Sequence, residues 1–101
     1  MISAKTALLA ALVSGPGFGL ELIERVLKCS GGRVALNQGS AYPALRALER
    51  EGMVKSYEGE ANAERGGRPR IYYEITGKGR RAAMQQREAI VGLWQLAGAE
   101  S

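Results

Sequence analysis

The sequence contains no histidine and only one cysteine, Cys29, among its 101 residues. Zinc sites are built from several Cys and His side chains, and catalysis by a serine or cysteine nucleophile depends on a neighbouring histidine. The chain therefore cannot form an ordinary zinc site, a Ser-His-Asp triad or a Cys-His pair. Its ten acidic residues are scattered singly among basic ones, so we expect no enzyme, no metal and no cofactor.

Long apolar runs are also missing. The longest strongly apolar stretch, Ala7 to Val13, is far shorter than the roughly 20 residues that cross a bilayer. The start of the chain lacks the pattern of a secretion signal, and a single cysteine cannot form an intramolecular disulfide. We therefore expect a cytoplasmic protein without a membrane segment.

The chain has an excess of positive charge. Fourteen Lys and Arg against ten Asp and Glu give a net charge of +4 and a pI near 9.6. This balance is compatible with a nucleic-acid partner but does not establish one, because many basic proteins have none. The length and the hydrophobic content of 46% are those of one folded domain.

Apolar residues recur at helical spacing in the first part of the chain. The first predicted helix ends at Gly15-Pro16-Gly17, which we interpret as a turn between helices. The second helix has a predicted buried stripe that consists of Leu20, Ile23, Val26 and Leu27. After the break at residues 30–32, Val34 to Leu36 is just long enough for a minimal strand.

The third helix has two alternative starts. Either Ser40 caps it and Pro43 lies in the first turn, or it starts near Asn37 and bends at the proline. Gly52 stands where a C-terminal cap belongs. Tyr42, Arg46 and Arg50 follow one another at fourfold spacing on its polar face. They form a ridge narrow enough for a major groove about 12 Å wide, although a solvated helix face is the alternative interpretation.

Beyond Gly52 the periodicity changes to the alternation of β-strands. Residues 54–58 and 70–75 are predicted as a hairpin, and the loop between them contains Arg65-Gly66-Gly67-Arg68-Pro69-Arg70. This slim basic loop resembles an AT-hook and fits a minor groove; a solubilising hairpin tip is the alternative. The order of elements is that of a winged helix-turn-helix, a mostly helical α+β fold with a three-helix core and a β-hairpin wing.

A last helix is predicted from Thr76 to about Leu96. Its late half carries an apolar stripe that consists of Ile90, Leu93, Trp94 and Ala97. Because three helices and a hairpin already supply a core, this stripe predicts a subunit interface. The alternative is that Trp94 only covers the core.

Two longer motifs resemble those of PadR-like regulators. Gly39 to Val54 reads GSAYPALRALEREGMV, similar to the family pattern G-T-L-Y-P-A-L-x-x-L-E-x-x-G-L-I. Residues 72–80 read YYEITGKGR, similar to Y-Y-x-L-T-x-x-G, and residues 17–22 lie near the family's G-Y-x-L segment. The resemblance covers roughly residues 5–96. Ser40 and Ala41 stand where the family usually has threonine and leucine.

The resemblance implies a homodimeric repressor that binds double-stranded DNA, with the third helix in the major groove and the wing on the flanking DNA. The implied DNA contacts are Gln38, Ser40, Tyr42, Arg46 and Arg50 on the helix and Arg65, Arg68, Arg70 and Tyr72 on the wing. The implied dimer residues are Leu8, Leu12, Ile90, Leu93, Trp94 and Ala97. Residues 1–75 would form the DNA-binding domain, and residues 76–101 a dimerisation helix of the same compact unit.

Some short members of the family accommodate flat or phenolic molecules near the dimer helices, which makes Trp94 a candidate for lining the pocket of a small aromatic effector. A two-fold dimer would present two recognition helices about 34 Å apart to a pseudo-palindromic operator. Two other functions stay open at this point. The fold could bind protein, or small molecules alone, without DNA affinity.

Overall fold

The computed structural model describes residues 2–61 and 69–100. Its elements are α1 (Ala4–Val13), β1 (Gly17–Phe18), α2 (Gly19–Cys29), α3 (Gln38–Arg50), β2 (Val54–Ala61), β3 (Pro69–Ile75) and α4 (Gly77–Glu100). Within these ranges the strands form one antiparallel sheet in the order β1-β3-β2. The predicted fold class, a winged helix-turn-helix with a C-terminal helix, is confirmed.

The core lies where the first three helices meet the inner face of the sheet. Six leucines from these helices are at most 1% exposed, and they are Leu8, Leu9, Leu12, Leu22, Leu45 and Leu48. Val54, Tyr73 and Ile75 supply the sheet's side of the core. Each buried leucine contributes about 1.5–3 kcal/mol relative to an exposed one, so this cluster holds the three helices on the sheet.

Two of these leucines correct a prediction. Leu8 and Leu12, expected at a dimer interface, are 0% exposed and pack inside the single chain. They face inward because α1 turns that side toward α2 and α3, so they are not available to a partner. The outward side of α1 is also apolar and includes Ile2, Ala10 and Val13.

The predicted stripe of α2 is wrong at its two ends. Leu20 and Leu27 are 45% and 40% exposed, whereas Leu22 and Val26, four residues apart, face the core. Ile23 packs at the edge of the core. The helix contains two overlapping apolar stripes, and contact with α1 and α3 selects the one centred on Leu22.

The short strand lies in a different place from the predicted one. Val34 and Leu36 pack against the core, but residues 34–36 form no ladder. Instead, β1 pairs with β3, with Gly17 opposite Tyr73 and Phe18 opposite Tyr72. The segment interpreted as a plain interhelix turn therefore enters a strand, because the chain that leaves α1 reaches the edge of β3 at once.

Arg25 of α2 holds this turn in place. Its guanidinium donates hydrogen bonds to the carbonyl oxygens of Ala11, Gly15 and Pro16 at 3.0, 2.7 and 3.0 Å. Such charge-assisted bonds to backbone carbonyls are stronger than neutral ones. Arg25 is therefore part of the scaffold that positions β1.

The start of α3 is set by a reciprocal cap. The side-chain Oδ1 of Asn37 accepts from the backbone N–H of Ser40 at 2.9 Å, and the hydroxyl of Ser40 accepts from the N–H of Asn37 at 3.2 Å. The second of the two predicted starts is thus the correct one. Pro43 lies inside the helix, where its missing N–H leaves one helical hydrogen bond unmade.

The end of α3 has the glycine that the sequence predicted. Gly52 has a φ of +75°, which favours glycine. Its N–H donates to the carbonyl of Glu49 at 3.0 Å, and the N–H of Met53 donates to that of Leu48 at 2.9 Å. These two bonds form a Schellman motif, which turns the chain sharply from α3 into β2.

Helix α4 is continuous to Glu100 rather than to about Leu96. Its 24 residues correspond to a length of about 36 Å. The first turns pack on α1 and β3, and every residue from Met84 to Gly98 is exposed in the single chain. Among the described helices, none combines the length and the apolar character needed to cross a membrane.

Candidate nucleic-acid interface

The polar face of α3 is separated from its buried face. Ala41, Leu45 and Leu48 lie in the core, whereas Arg46 and Arg50 are exposed and Tyr42 is half-buried. Residues four apart lie on the same side of a helix, so these last three form one ridge. Gln38 is exposed in the first turn, and the hydroxyl of Ser40 is engaged in the cap.

The two arginines of this ridge form no ion pair with a described carboxylate. In the described part of the chain, no carboxylate lies within 4.0 Å of the guanidinium groups of Arg46 and Arg50. The neighbouring Glu49 turns toward β2, where its carboxylate accepts from the hydroxyl of Ser56 at 2.5 Å. Positive charge therefore stays available on the outer side of α3.

Tyr42 is positioned by the first residue of α2. A Cβ on Gly19 would lie 2.5 Å from Cε1 and Oη of the Tyr42 ring, so only glycine lets the ring pack this closely. The residue that precedes α2, Phe18, provides no side-chain hydrogen bond to cap it. The first backbone N–H groups of α2 therefore lie beside the Tyr42 ring without a side-chain acceptor.

A groove with a volume of about 590 Å³ lies between the start of α2, the Tyr42 side of α3 and the start of β3. Arg70 lines it, with its guanidinium 4.4 Å from the centre of the Phe18 ring. The Nε of Arg70 is buried and has no hydrogen-bond partner among the described residues. A helix start without a side-chain cap, a phenol and an arginine in one groove suit an anion such as a phosphate.

Tyr73 lines this groove, and neighbouring charged groups influence the pKa of its phenol. Burial raises the pKa of its phenol above the usual 10.0, and the carboxylate of Glu49 and the phenol of Tyr42 raise it further. The guanidinium of Arg46 acts in the opposite direction. Tyr42 and Tyr73 both line the groove, and Arg46 follows Tyr42 by one turn of α3.

Tyr72 does not line this groove, but it packs against Phe18, which does. Its ring stacks on Tyr57 at 5.7 Å and meets Phe18 edge-on at 5.6 Å, measured between ring centres. The three rings occupy directly opposed positions on the three strands. Because neighbouring side chains of a strand point to opposite faces, Tyr72 faces away from Tyr73. Its contacts are those of a brace for the sheet.

The predicted wing contacts are described only in part. Arg65 and Arg68 lie outside the described residues, in the stretch 62–68. Arg70 is the second residue of β3 and reaches the groove beside Tyr42. The structure thus brings two predicted residues, Tyr42 and Arg70, together at this groove, and Arg46 follows Tyr42 by one turn of α3.

Two other residues of the groove, Phe18 and Gly19, were not among the predicted site residues. The available signal was the similarity of residues 17–22 to the G-Y-x-L segment of the family. The contact of Gly19 with Tyr42 joins positions 23 residues apart, and no periodic pattern reveals such a contact.

A second surface is apolar and lies on α1 and α4. Leu93, Trp94 and Leu96 are 67%, 74% and 60% exposed, and Ile90 is 45% exposed. The outward side of α1 is flanked by two apolar grooves. One, of about 300 Å³, lies against α4, and the other, of about 330 Å³, lies against α2.

Comparison with known proteins identifies the family of the chain. The model of the transcriptional regulator PadR-like family matches residues 8–85, more than half of the chain. A transcriptional regulator from Clostridium thermocellum is similar in structure, with 25% identity, a TM-score of 0.76, and coverage of 94% of this chain and 89% of that one.

Two other solved structures share the fold. A PadR-like transcription factor from Bacteroides fragilis has 22% identity, a TM-score of 0.77, and coverage of 96% of this chain and 88% of that one. A PadR family regulator from Clostridium difficile has 20% identity, a TM-score of 0.76 and coverage of 95% of each chain. Among curated protein sequences, none matches. The chain belongs to the PadR-like family, whose members are transcriptional regulators and not enzymes.

Proposed function

We propose that the protein is a sequence-specific repressor that binds a pseudo-palindromic operator in double-stranded DNA as a homodimer. The observation that supports this most strongly is the groove formed by Tyr42, Arg70 and the uncapped start of α2, next to the exposed arginines of α3. A DNA duplex offers phosphates for the groove and base edges for the ridge. A regulator of this kind would act in the cytoplasm, beside the chromosome.

The ridge on α3 is proposed to read the major groove. Arg46 stands in the middle of the ridge, exposed and without a carboxylate partner among the described residues. Arginine can form two parallel hydrogen bonds to guanine, which contribute about 1–3 kcal/mol of discrimination against a wrong base. Arg50, one turn later, is placed for a base edge or a phosphate.

The groove beside the ridge is proposed to hold the DNA backbone. A phosphate there would accept from the first N–H groups of α2 and from the Tyr42 hydroxyl, with the Arg70 guanidinium nearby. Such contacts carry no sequence information but fix the register of α3 on the duplex. Arg65 and Arg68 are proposed to contact the flanking minor groove.

Selection of bound fragments from genomic DNA, followed by titration of the recovered duplex by fluorescence polarisation, tests the DNA part. We expect one enriched sequence with two-fold symmetry and an affinity at least about a thousandfold above that for a scrambled duplex. A protein that enriches no fragment, and binds duplex DNA no better than a neutral protein of its size, would refute the proposal and favour a module for protein or small-molecule partners.

The homodimer is supported by the apolar character of α1 on all sides. One side of α1 is in the core, and the other carries Ile2 and Val13, 50% and 38% exposed. A helix with apolar side chains on every side is normally buried by other protein elements on every side. The exposed apolar half of α4 on the same chain supplies a matching cover, and a two-fold axis would pair the two surfaces reciprocally.

The short side chains of α1 favour a helix as the occupant. Ala7 and Ala10 line both apolar grooves beside α1, so a second helix can approach closely. We propose that α4 of the second copy lies there with Trp94 as its main anchor, because exposed tryptophans are typical of interface hot spots. Sedimentation equilibrium checks the dimer, and a protein that stays monomeric at micromolar concentration would contradict it.

The aromatic effector predicted from the sequence is proposed to bind beside Trp94 at this dimer seam. Flat phenolic compounds would then quench the fluorescence of the single tryptophan and release the operator duplex at the same concentrations. Quenching that leaves the affinity for DNA unchanged would separate the compound from regulation.

A further inference from the structure

The end of α3 and the start of α4 are joined by one hydroxyl group. The Oγ1 of Thr76 donates to the carbonyl of Gly52 at 2.7 Å, and it accepts from the backbone N–H of Gly79 at 3.1 Å. The backbone N–H of Thr76 donates to the carbonyl of Met53 at 3.0 Å. Thr76 therefore caps α4 and at the same time holds the residue that ends α3. We refer to these contacts as the Thr76 joint.

Gly79 allows this joint to close. A Cβ on Gly79 would lie 2.1 Å from the carbonyl oxygen of Met53 and 2.8 Å from Cγ1 of Ile75. The first obstacle is backbone, so α4 would have to move away from the end of α3. Gly77, in the same turn, differs: its Cβ would meet only the end of the Arg81 side chain, at 3.5 Å.

The helices that form the proposed dimer surface are both anchored at this place. Lys78 of α4 donates to the carbonyl of Glu51 at 2.8 Å, and Lys5 of α1 pairs with the Glu51 carboxylate. Exposed ion pairs contribute little to stability. Besides the Lys78 hydrogen bond, the direct links between the end of α3 and the first turn of α4 are the hydroxyl of Thr76 and the close approach at Gly79.

The length of α4 amplifies any change at the joint. Trp94 stands 17 residues after Gly77 in one continuous helix, which corresponds to about 26 Å. A rotation of about 10° at the joint would therefore move Trp94 by roughly 4–5 Å relative to α3. This displacement is larger than the roughly 3.4 Å between successive base pairs. In a dimer held by α4, such a rotation changes the distance between the two α3 helices.

We propose that Thr76 and Gly79 are positioning residues that set the distance between the two recognition helices and thereby the operator spacing that the regulator accepts. This inference rests on the proposed function as an operator-binding homodimer. Neither residue lies in the groove beside Tyr42, so both act through the orientation of α3.

The test compares Thr76→Val and Gly79→Ala with the matched controls Thr76→Ser, which keeps the hydroxyl, and Gly77→Ala. The probes are the selected operator duplex, the same duplex with the spacer between half-sites changed by one or two base pairs, and a duplex with a single half-site. We expect the wild type and both controls to lose about tenfold in affinity when the spacer changes by two base pairs.

For Thr76→Val and Gly79→Ala we expect a shifted spacing optimum, or a spacing preference below about threefold, while affinity for the single half-site changes less than about threefold. An unchanged spacing profile in both variants, or a parallel loss on half-site and full operator, would overturn the inference. Should circular dichroism show that Gly79→Ala does not fold, Thr76→Val decides, because valine has nearly the same shape as threonine.

Measurements on the wild type distinguish a failure of the proposed function from a failure of the role of the Thr76 joint. A wild-type protein that binds no duplex contradicts the proposed function itself. A wild type that binds the operator equally well at every spacing leaves DNA binding intact and contradicts only the role of the Thr76 joint.

Discussion

Replacement of Arg46 by alanine is the sharpest perturbation of the proposed interface. Arg46 is exposed and makes no ion pair with a described carboxylate. Its removal should therefore change the free energy of unfolding by no more than about 0.5 kcal/mol. If each Arg46 reads a guanine, each copy contributes about 1–3 kcal/mol to discrimination. A dimer has two copies, so affinity for the operator should fall by about 30-fold to 20,000-fold.

The assay is a polarisation titration of the operator duplex and of a scrambled duplex of equal length, both at one fixed salt concentration. Arg46→Ala should weaken operator binding much more than scrambled binding. Arg46→Lys keeps the charge but cannot form the two parallel bonds, and it should show most of the same loss. Lys28→Ala, which removes a positive charge at the far end of α2, should leave the ratio of the two affinities unchanged.

Two outcomes would refute this reasoning. Equal losses on the operator and scrambled duplexes would mean that Arg46 contacts only the DNA backbone. Unchanged affinity on both would mean that the ridge on α3 does not meet DNA.

Four further predictions follow from the same two surfaces and the core. If each subunit neutralises about three to five phosphates, log affinity should fall against log salt with a slope of about −5 to −9 per dimer, and a salt-independent complex would contradict the phosphate contacts. Trp94→Ala should weaken the dimer by about 2 kcal/mol in sedimentation equilibrium, whereas Tyr57→Ala on the wing sheet should not, and equal effects would remove Trp94 from the interface. Leu8→Ala should lower the free energy of unfolding by about 2–5 kcal/mol in urea titrations. The matched variant Leu93→Ala, at an exposed position, should lower the affinity of the dimer instead. A loss of unfolding free energy well below about 2 kcal/mol for Leu8→Ala would contradict the place of Leu8 in the core. The pKa of Tyr73 is raised in the folded state, so the neutral phenol contributes its full stability below pH 10, and this contribution is lost as the pH rises above that value. Tyr73→Phe should therefore lose less stability between about pH 9 and 11 than the wild type. Equal losses would contradict the shift.

The elements that the sequence predicted well are those with a long regular pattern. α3 combines an apolar face and an arginine ridge within 13 residues, the glycine stop Gly52 follows two residues later, and each of these signals is local. The hairpin strands likewise alternate over several residues. The orientation of α1 was not predictable in the same way, because a helix that is apolar on all sides does not show which of its sides faces the core.

The contacts that shape the site were hidden because they join distant positions. Strand β1 has two residues, too few for any periodicity, and its existence depends on the edge of β3. Gly19 beneath the Tyr42 ring and Gly79 against the carbonyl of Met53 are close approaches, and a glycine in the sequence does not show what comes near it. In α2, two overlapping apolar stripes fit the helical spacing, and only the packing against other elements shows that Leu22, and not Leu20, is buried.

Chemical-shift mapping of ¹⁵N-labelled protein during titration with the selected operator duplex tests the central claim most directly. The account predicts the largest shifts in the amides of the first turns of α2, the Tyr42–Arg50 part of α3 and the start of β3, with small shifts between Ile90 and Gly98. Large shifts confined to the second half of α4, with α3 unchanged, would contradict it.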